Sequence, residues 1–346
     1  MEGMKRRQTE LDLLRLIAML GVIVVHIELD GSSAPQSRFG VTLYHGIWSS
    51  VTWCVPIFVM ISGRLFLDPV RDITMQKIWK KYIPRIATAF LFWSAIYQVY
   101  YSVLGGQTLN WKGILSQFLI GPYHMWYLYM IAGLYAVTPI LRKISGDVEI
   151  TKYFVILFFF AELLKEYGPY LPVVGSTLEY AAEKINLNVV LGMTGYYVLG
   201  WHLYRTELTK KQETAIYLAG LLALCFTIFA ASNLPIPEGQ STEFYQKYPK
   251  PNVILESAAL YTFFVKRICK ARFSEWLAGW ISLLAENCFG IYLIHALVNE
   301  FVCTGSWKEA FSPFLAVPVL VFLIFAISAV IIIPLRKIPF VRKHLT

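Results

Sequence analysis

Asp12, Arg15, Met19, Val22 and His26 follow one another at steps of 3, 4, 3 and 4 through an otherwise largely apolar stretch. That spacing lays one stripe down one helical face. Arg15 and His26 are separated by 11 residues, close to three whole turns, which places them on a shared face ~16 Å apart along the axis. A buried imidazole with a pKa near neutrality can take a proton from a hydroxyl and return one to a leaving group, the proton traffic of acyl transfer. A guanidinium grips phosphate or carboxylate as a fork and keeps its charge. An anionic donor with a long arm, reaching in from the cytoplasm, suits that separation. The same spacing also describes an interfacial Asp12–Arg15 ion pair above a histidine that bonds a neighbouring helix.

Other residues share this double reading. His124 lies in Tyr123-His124-Met125-Trp126-Tyr127, and Tyr292, His295 and Asn299 fall at i, i+3 and i+7, again one face. Taken singly, His124 fits an aromatic belt at the membrane surface and His295 a hydrogen-bonded helix contact. Lys77, Lys80, Lys81 and Arg85 lead into an apolar run whose start Pro84 is expected to set. They can bind a nucleotide phosphate, or be ordinary cytoplasmic charges and headgroup contacts. The six His and five Cys form no CxxC or HExxH pattern, so no metal site is expected. There is no P-loop and no GxSxG elbow. The 23 Phe, 21 Tyr and 10 Trp read as core and interface residues, not a surface for nucleic acid.

The elements that must hold these residues are membrane helices. Of 346 residues 57% are hydrophobic and only 15% charged, against roughly 25% charged in soluble domains. Apolar blocks of about 20 residues match ~30 Å of hydrocarbon. Ten are placed near 11–29, 46–67, 84–104, 123–141, 153–169, 188–204, 213–231, 252–268, 281–303 and 313–335. With a cytoplasmic N-terminus, 21 of the 31 Lys and Arg fall in inner segments and seven in outer ones, which puts both termini in the cytoplasm. The expected architecture is an all-α polytopic bundle, one domain over 1–346, in the plasma (inner) membrane. The first block is too long for a signal peptide and carries Asp12 and Arg15, although Ser33-Ala34 imitates a cleavage site. No internal repeat of the kind many secondary transporters use is visible. The net charge of +9 reflects cytoplasmic loops more than a nucleic-acid partner.

Leu11-Asp12-Leu13-Leu14-Arg15-Leu16-Ile17-Ala18, running on to Val24-Val25-His26, resembles the first-helix signature of the acyltransferase 3 family of integral membrane acyltransferases. Four more segments match in order: Val55 to Gly63, Tyr123 to Tyr127 with Tyr135 and Pro139, Tyr197 to Gly200, and Gly290-Ile291-Tyr292-Leu293-Ile294-His295. Together they cover nearly the whole chain. Its length is similar to that of the stand-alone acetyltransferases of bacterial surface-polysaccharide synthesis, the enterobacterial common antigen type among them.

The resemblance implies acetyl-CoA or a similar acyl-CoA as a donor substrate, with no permanently bound cofactor. It implies a glycan or glycolipid hydroxyl as acceptor. The family's Arg-x10-His pair falls on Arg15 and His26, with His26 as general base or transient acyl carrier, Arg15 supporting the donor or His26, and Asp12 orienting Arg15. Donor contacts would come from Arg15, Arg64, Lys77, Lys81 and Arg85, and acceptor contacts from His124, Trp126, Tyr292 and His295. Two features depart from the pattern: Arg64 stands where many members carry an aromatic or aliphatic residue, and an Arg-x-x-Arg motif is replaced by Lys77 to Arg85 at different spacing. The family also includes the membrane domains of vancomycin-resistance serine racemases, which makes transport of serine or another small substrate the alternative expectation.

Overall fold

A computed structural model describes residues 9–27, 38–103, 110–185, 187–241, 243–303 and 313–346, and its regular elements are all helices. Lys5, Arg6, Arg7, Ser33, Ala34 and Lys308 lie outside those residues. Five stretches among the described residues are long and apolar enough to cross a membrane: His45–Phe66, Met75–Val103, Lys210–Asn233, Glu275–Cys303 and Ala316–Leu335. They coincide with the second, third, seventh, ninth and tenth apolar blocks.

The residues divide into two compact units, one of 1–71 with 141–285 and one of 72–140 with 286–346. In the first, α1 (Thr9–Val25) packs on α3 (Cys54–Phe66), which follows α2 (Arg38–Ser49). Along α3 runs α10 (Met193–Arg205), which also meets α8 (Val148–Tyr167) and α12 (Pro251–Lys266). The helix α11 (Lys210–Asn233) lies against α12 and α2. Polar caps start two of these helices. Asp147 accepts from the N–H groups of Glu149 and Ile150 at the head of α8, and Thr209 with Gln212 forms a capping box on α11. With 13 residues, α10 spans about 20 Å, short of ~30 Å of hydrocarbon. Protein encloses it instead, burying Tyr196, Tyr197, Val198, Leu199 and Trp201.

The second unit departs from one expectation. Helix begins at Met75, capped by the Thr74 hydroxyl, not at Pro84. It passes through α4 (Met75–Lys77) and a π-helical turn, Ile78–Tyr82, into α5 (Ile83–Val103). A proline inside a helix clashes with the carbonyl four residues back, and a wider π turn just before Pro84 is one way to relieve that clash. Next come α6 (Trp111–Ile120), a 3-10 turn at Tyr123–Met125, and α7 (Trp126–Ile144), whose end from Leu141 belongs to the first unit. The unit is completed by the latter part of α13 (Glu275–Cys303), by α14 (Pro313–Leu335) and by α15 (Pro339–His344). The remaining short helix α9 (Gly175–Ile185) belongs to the first unit.

Candidate functional site

The part of the stripe from Asp12 to Val22 lies on α1. Asp12, Met19 and Val22 are buried, and Arg15 Nη1 donates to Asp12 Oδ1 at 2.6 Å. Asp12 is nearly enclosed while Arg15 keeps about a quarter of its side chain exposed, so the pair fixes one terminal nitrogen of a partly exposed guanidinium. His26 departs from the continuous helix: α1 ends at Val25, and the N–H of His26 turns back to Ile23 O at 3.1 Å. The last turn tightens from i−4 to i−3 bonding, as helix ends often do. His26 therefore sits on a turn just past the helix end.

Further basic groups gather in the same unit at the end of α3. Arg64 is 5% exposed, donates to Asp68 at 2.9 Å, and lies 3.4 Å above the Tyr204 ring, with Trp201 beyond at 5.9 Å. Its Nε has no hydrogen-bond partner among the described residues. Arg71, in the loop that follows, is pulled below the usual guanidinium range by burial first and then by the positive charges of Arg64 and Arg15, with Asp68 opposing. Arg142 fastens that loop. Its Nη1 donates to Phe66 O and Asp68 O, both at 2.7 Å, and its Nη2 to Arg71 O at 2.8 Å. The sequence marked Arg142 only as a cytoplasmic charge, since a clamp on backbone carbonyls leaves no pattern in spacing.

In the second unit His124, Tyr292 and His295 do come together. The His124 ring stands 5.1 Å from His295 and 5.6 Å from Tyr292, and the Tyr292 hydroxyl donates to the carbonyl of His124. Both imidazoles are buried. His295 Nδ1 lies 2.6 Å from Tyr292 O. A carbonyl only accepts, which assigns the proton to Nδ1 and makes Nε2 the basic nitrogen. Tyr97 joins the group, with its ring 5.3 Å from His124 and its hydroxyl donating to Leu293 O at 3.0 Å. Trp126 is 40% exposed at the start of α7. Of the donor candidates here, Lys77 bonds Asp72, Lys81 is exposed beside the Tyr82 ring, and Arg85 donates to Thr346 O.

Carboxylates inside apolar runs carry the same cost as Arg15 or His26, and two of them stand outside every motif quoted above. Glu256 is bonded by the Thr52 hydroxyl at 3.2 Å and by Thr227, which also accepts from Asn252 at 2.8 Å. Glu162 Oε1 accepts the N–H of Gly192, and Oε2 has no partner among the described residues. Near them Lys250, 1% exposed, pairs with Glu166 at 3.0 Å and lies 3.5 Å over the Phe244 ring. Burial lowers its ammonium from the usual lysine range, with Glu166 opposing. Among the described residues no group of three or more His, Cys, Asp or Glu is placed to hold a metal ion.

Helices long and apolar enough to cross a membrane, with buried basic and imidazole clusters, define a polytopic membrane protein. The chain belongs to the acyltransferase 3 family: the family model, described as an acyltransferase domain, matches residues 8–333. Comparison with curated proteins gave no match, and comparison with solved structures gave none.

Proposed function

We propose that the protein is an O-acetyltransferase that moves an acetyl group from cytosolic acetyl-CoA to a hydroxyl of a cell-surface glycan or lipid-linked sugar, as the enterobacterial common antigen type does. The family match over residues 8–333 supports reading 1–346 as a single catalytic domain. It sits in the plasma (inner) membrane with ten crossings and both termini cytoplasmic, which the 21-to-seven distribution of Lys and Arg supports.

The observation that carries the reading is the α1 stripe. It holds a guanidinium anchored on a buried carboxylate, on a helix that ends one residue before an imidazole. In the proposed reaction His26 takes the proton of the acceptor hydroxyl as its oxygen attacks the thioester carbonyl. The C–S bond breaks, and the proton ends on the CoA thiolate. Arg15 holds donor phosphate or carbonyl oxygen, Asp12 fixes its fork, and Arg64, Lys77, Lys81 and Arg85 supply further phosphate contacts. His124, Trp126, Tyr292 and His295 line the acceptor side.

Calorimetry of acetyl-CoA with the purified protein tests the donor. Micromolar binding that weakens in Arg15→Ala is expected. Absence of binding by any acyl-CoA would favour a transport module for a small substrate, and uptake into proteoliposomes without acyl-CoA would then be the decisive assay.

A further inference from the structure

Between α5 and α6 the second unit forms a half-open cavity of about 200 Å3, lined by Ser94, Gln98 and Tyr101 on α5 and by Gln117, Gly121 and Tyr123. That is well beyond the space one water needs. Ser94 is 2% exposed, and its hydroxyl has no hydrogen-bond partner among the described residues. Buried hydroxyls are rarely left so, and this one borders open space.

Gly121 keeps it open. Its φ is +75°, and a Cβ there would lie 2.7 Å from the Phe90 ring and 3.2 Å from Ser94 Oγ, so any larger residue would crowd the hydroxyl. Tyr97 also lines the cavity with its hydroxyl spent on Leu293 O and Leu297 N, leaving it the ring. The lining is thus aromatic faces, two amides and hydroxyls beside the apolar Ile120 and Pro122, and none of its residues is charged. A phosphate or a zwitterion would bring charges with no counterpart here, which burial penalises. A neutral ring bearing many hydroxyls meets donors and acceptors at its edge and aromatic carbon on its face.

We propose that this cavity is a binding site for a neutral sugar ring. As the acceptor's seat it rests on the acetyltransferase reading, but its capacity to bind sugar is measurable without turnover. Tyr97 and Tyr123, at its wall, are also ring neighbours of His124 at 5.3 and 5.4 Å, so an occupant would lie beside the imidazole cluster of the same unit.

Saturation-transfer NMR on the full chain in phosphatidylcholine nanodiscs, with empty nanodiscs subtracted, tests this. The probes are methyl β-glucopyranoside and methyl N-acetyl-β-glucosaminide. Saturation of their ring protons by the wild-type protein is expected. Ser94→Ala should weaken binding roughly five- to tenfold, the value of one hydrogen bond, and Gln117→Trp, at an exposed position, should block the cavity and abolish the signal. Gln98→Leu, which removes an amide at similar volume, is the second variant should Gln117→Trp melt early. No saturation of either probe, or an undiminished signal in a folded blocking variant, would overturn the assignment. CoA release from acetyl-CoA in the same preparation separates the two claims. Sugar binding without release contradicts the acetyltransferase and leaves the cavity standing, whereas release without sugar binding contradicts the cavity alone.

Discussion

Gly200 of α10 lies so close to Met60 of α3 that a Cβ on it would fall 2.2 Å from the Met60 carbonyl oxygen. The contact is reciprocal, because a Cβ on Gly63 would fall 1.8 Å from Tyr197 O. The second-helix and mid-chain segments of the family resemblance are therefore two halves of one backbone contact. That contact sets Arg64, the next residue after Gly63, above Tyr204 and near Trp201.

Gly200→Ala or Gly63→Ala must push α3 and α10 apart. Overpacking typically costs about 1–3 kcal/mol, and a clash with backbone falls at or beyond the upper end. Melting in detergent should show a large drop or loss of monodisperse protein for either variant. Gly133→Ala, where a Cβ meets nothing within 4 Å, should melt like wild type. Equal behaviour of all three would contradict the close approach.

Arg142→Lys should loosen the loop after α3. A lysine cannot reproduce a fork that spans the carbonyls of Phe66, Asp68 and Arg71. Losing two hydrogen bonds to a charged group suggests about 3 kcal/mol. Limited proteolysis within residues 67–74 should speed up, and an unchanged cleavage pattern would argue against the clamp.

How much of this was legible in the sequence depended on the kind of contact. The α1 stripe was legible because one helix fixes the directions of Asp12 and Arg15 by period alone. Tyr292 and His295 were readable on the same ground, but their meeting with His124 needs two segments packed together. Pro84 misled as a start signal because the π turn before it lets the helix continue. Glu162 and Glu256 satisfy the rule for charges in apolar runs but belong to none of the motifs. Arg142 and Lys250 looked like loop charges, and only packing turns one into a clamp and the other into a buried cation.

Lys250→Met leaves Glu166 without its ammonium in a largely buried setting. Breaking one partner of a buried pair costs about 3–5 kcal/mol, and the partial exposure of Glu166 reduces this to roughly 2 kcal/mol. The double variant Lys250→Met with Glu166→Gln should regain part of the loss in a thermal melt. Simple additivity of the two single losses would contradict the pairing.

Arg15→Lys separates shape from charge. If the Asp12-anchored guanidinium works as a fork, a point charge in its place should lower kcat/KM for acetyl-CoA at least tenfold. Lys81→Ala with Arg85→Ala should instead raise the KM for donor with little change in kcat. Full activity in Arg15→Lys would remove the fork from the mechanism, and unchanged donor kinetics in the double variant would return those cations to the positive-inside pattern.

The central claim, that His26 performs acyl transfer from CoA, is tested most directly by CoA thiol release from acetyl-CoA, comparing wild type with His26→Ala and His26→Gln at matched melting temperature. The account predicts steady release by wild type, stimulated by a glycan acceptor, and a loss of at least a hundredfold in both variants. Release that persists in a folded His26→Ala protein would contradict it.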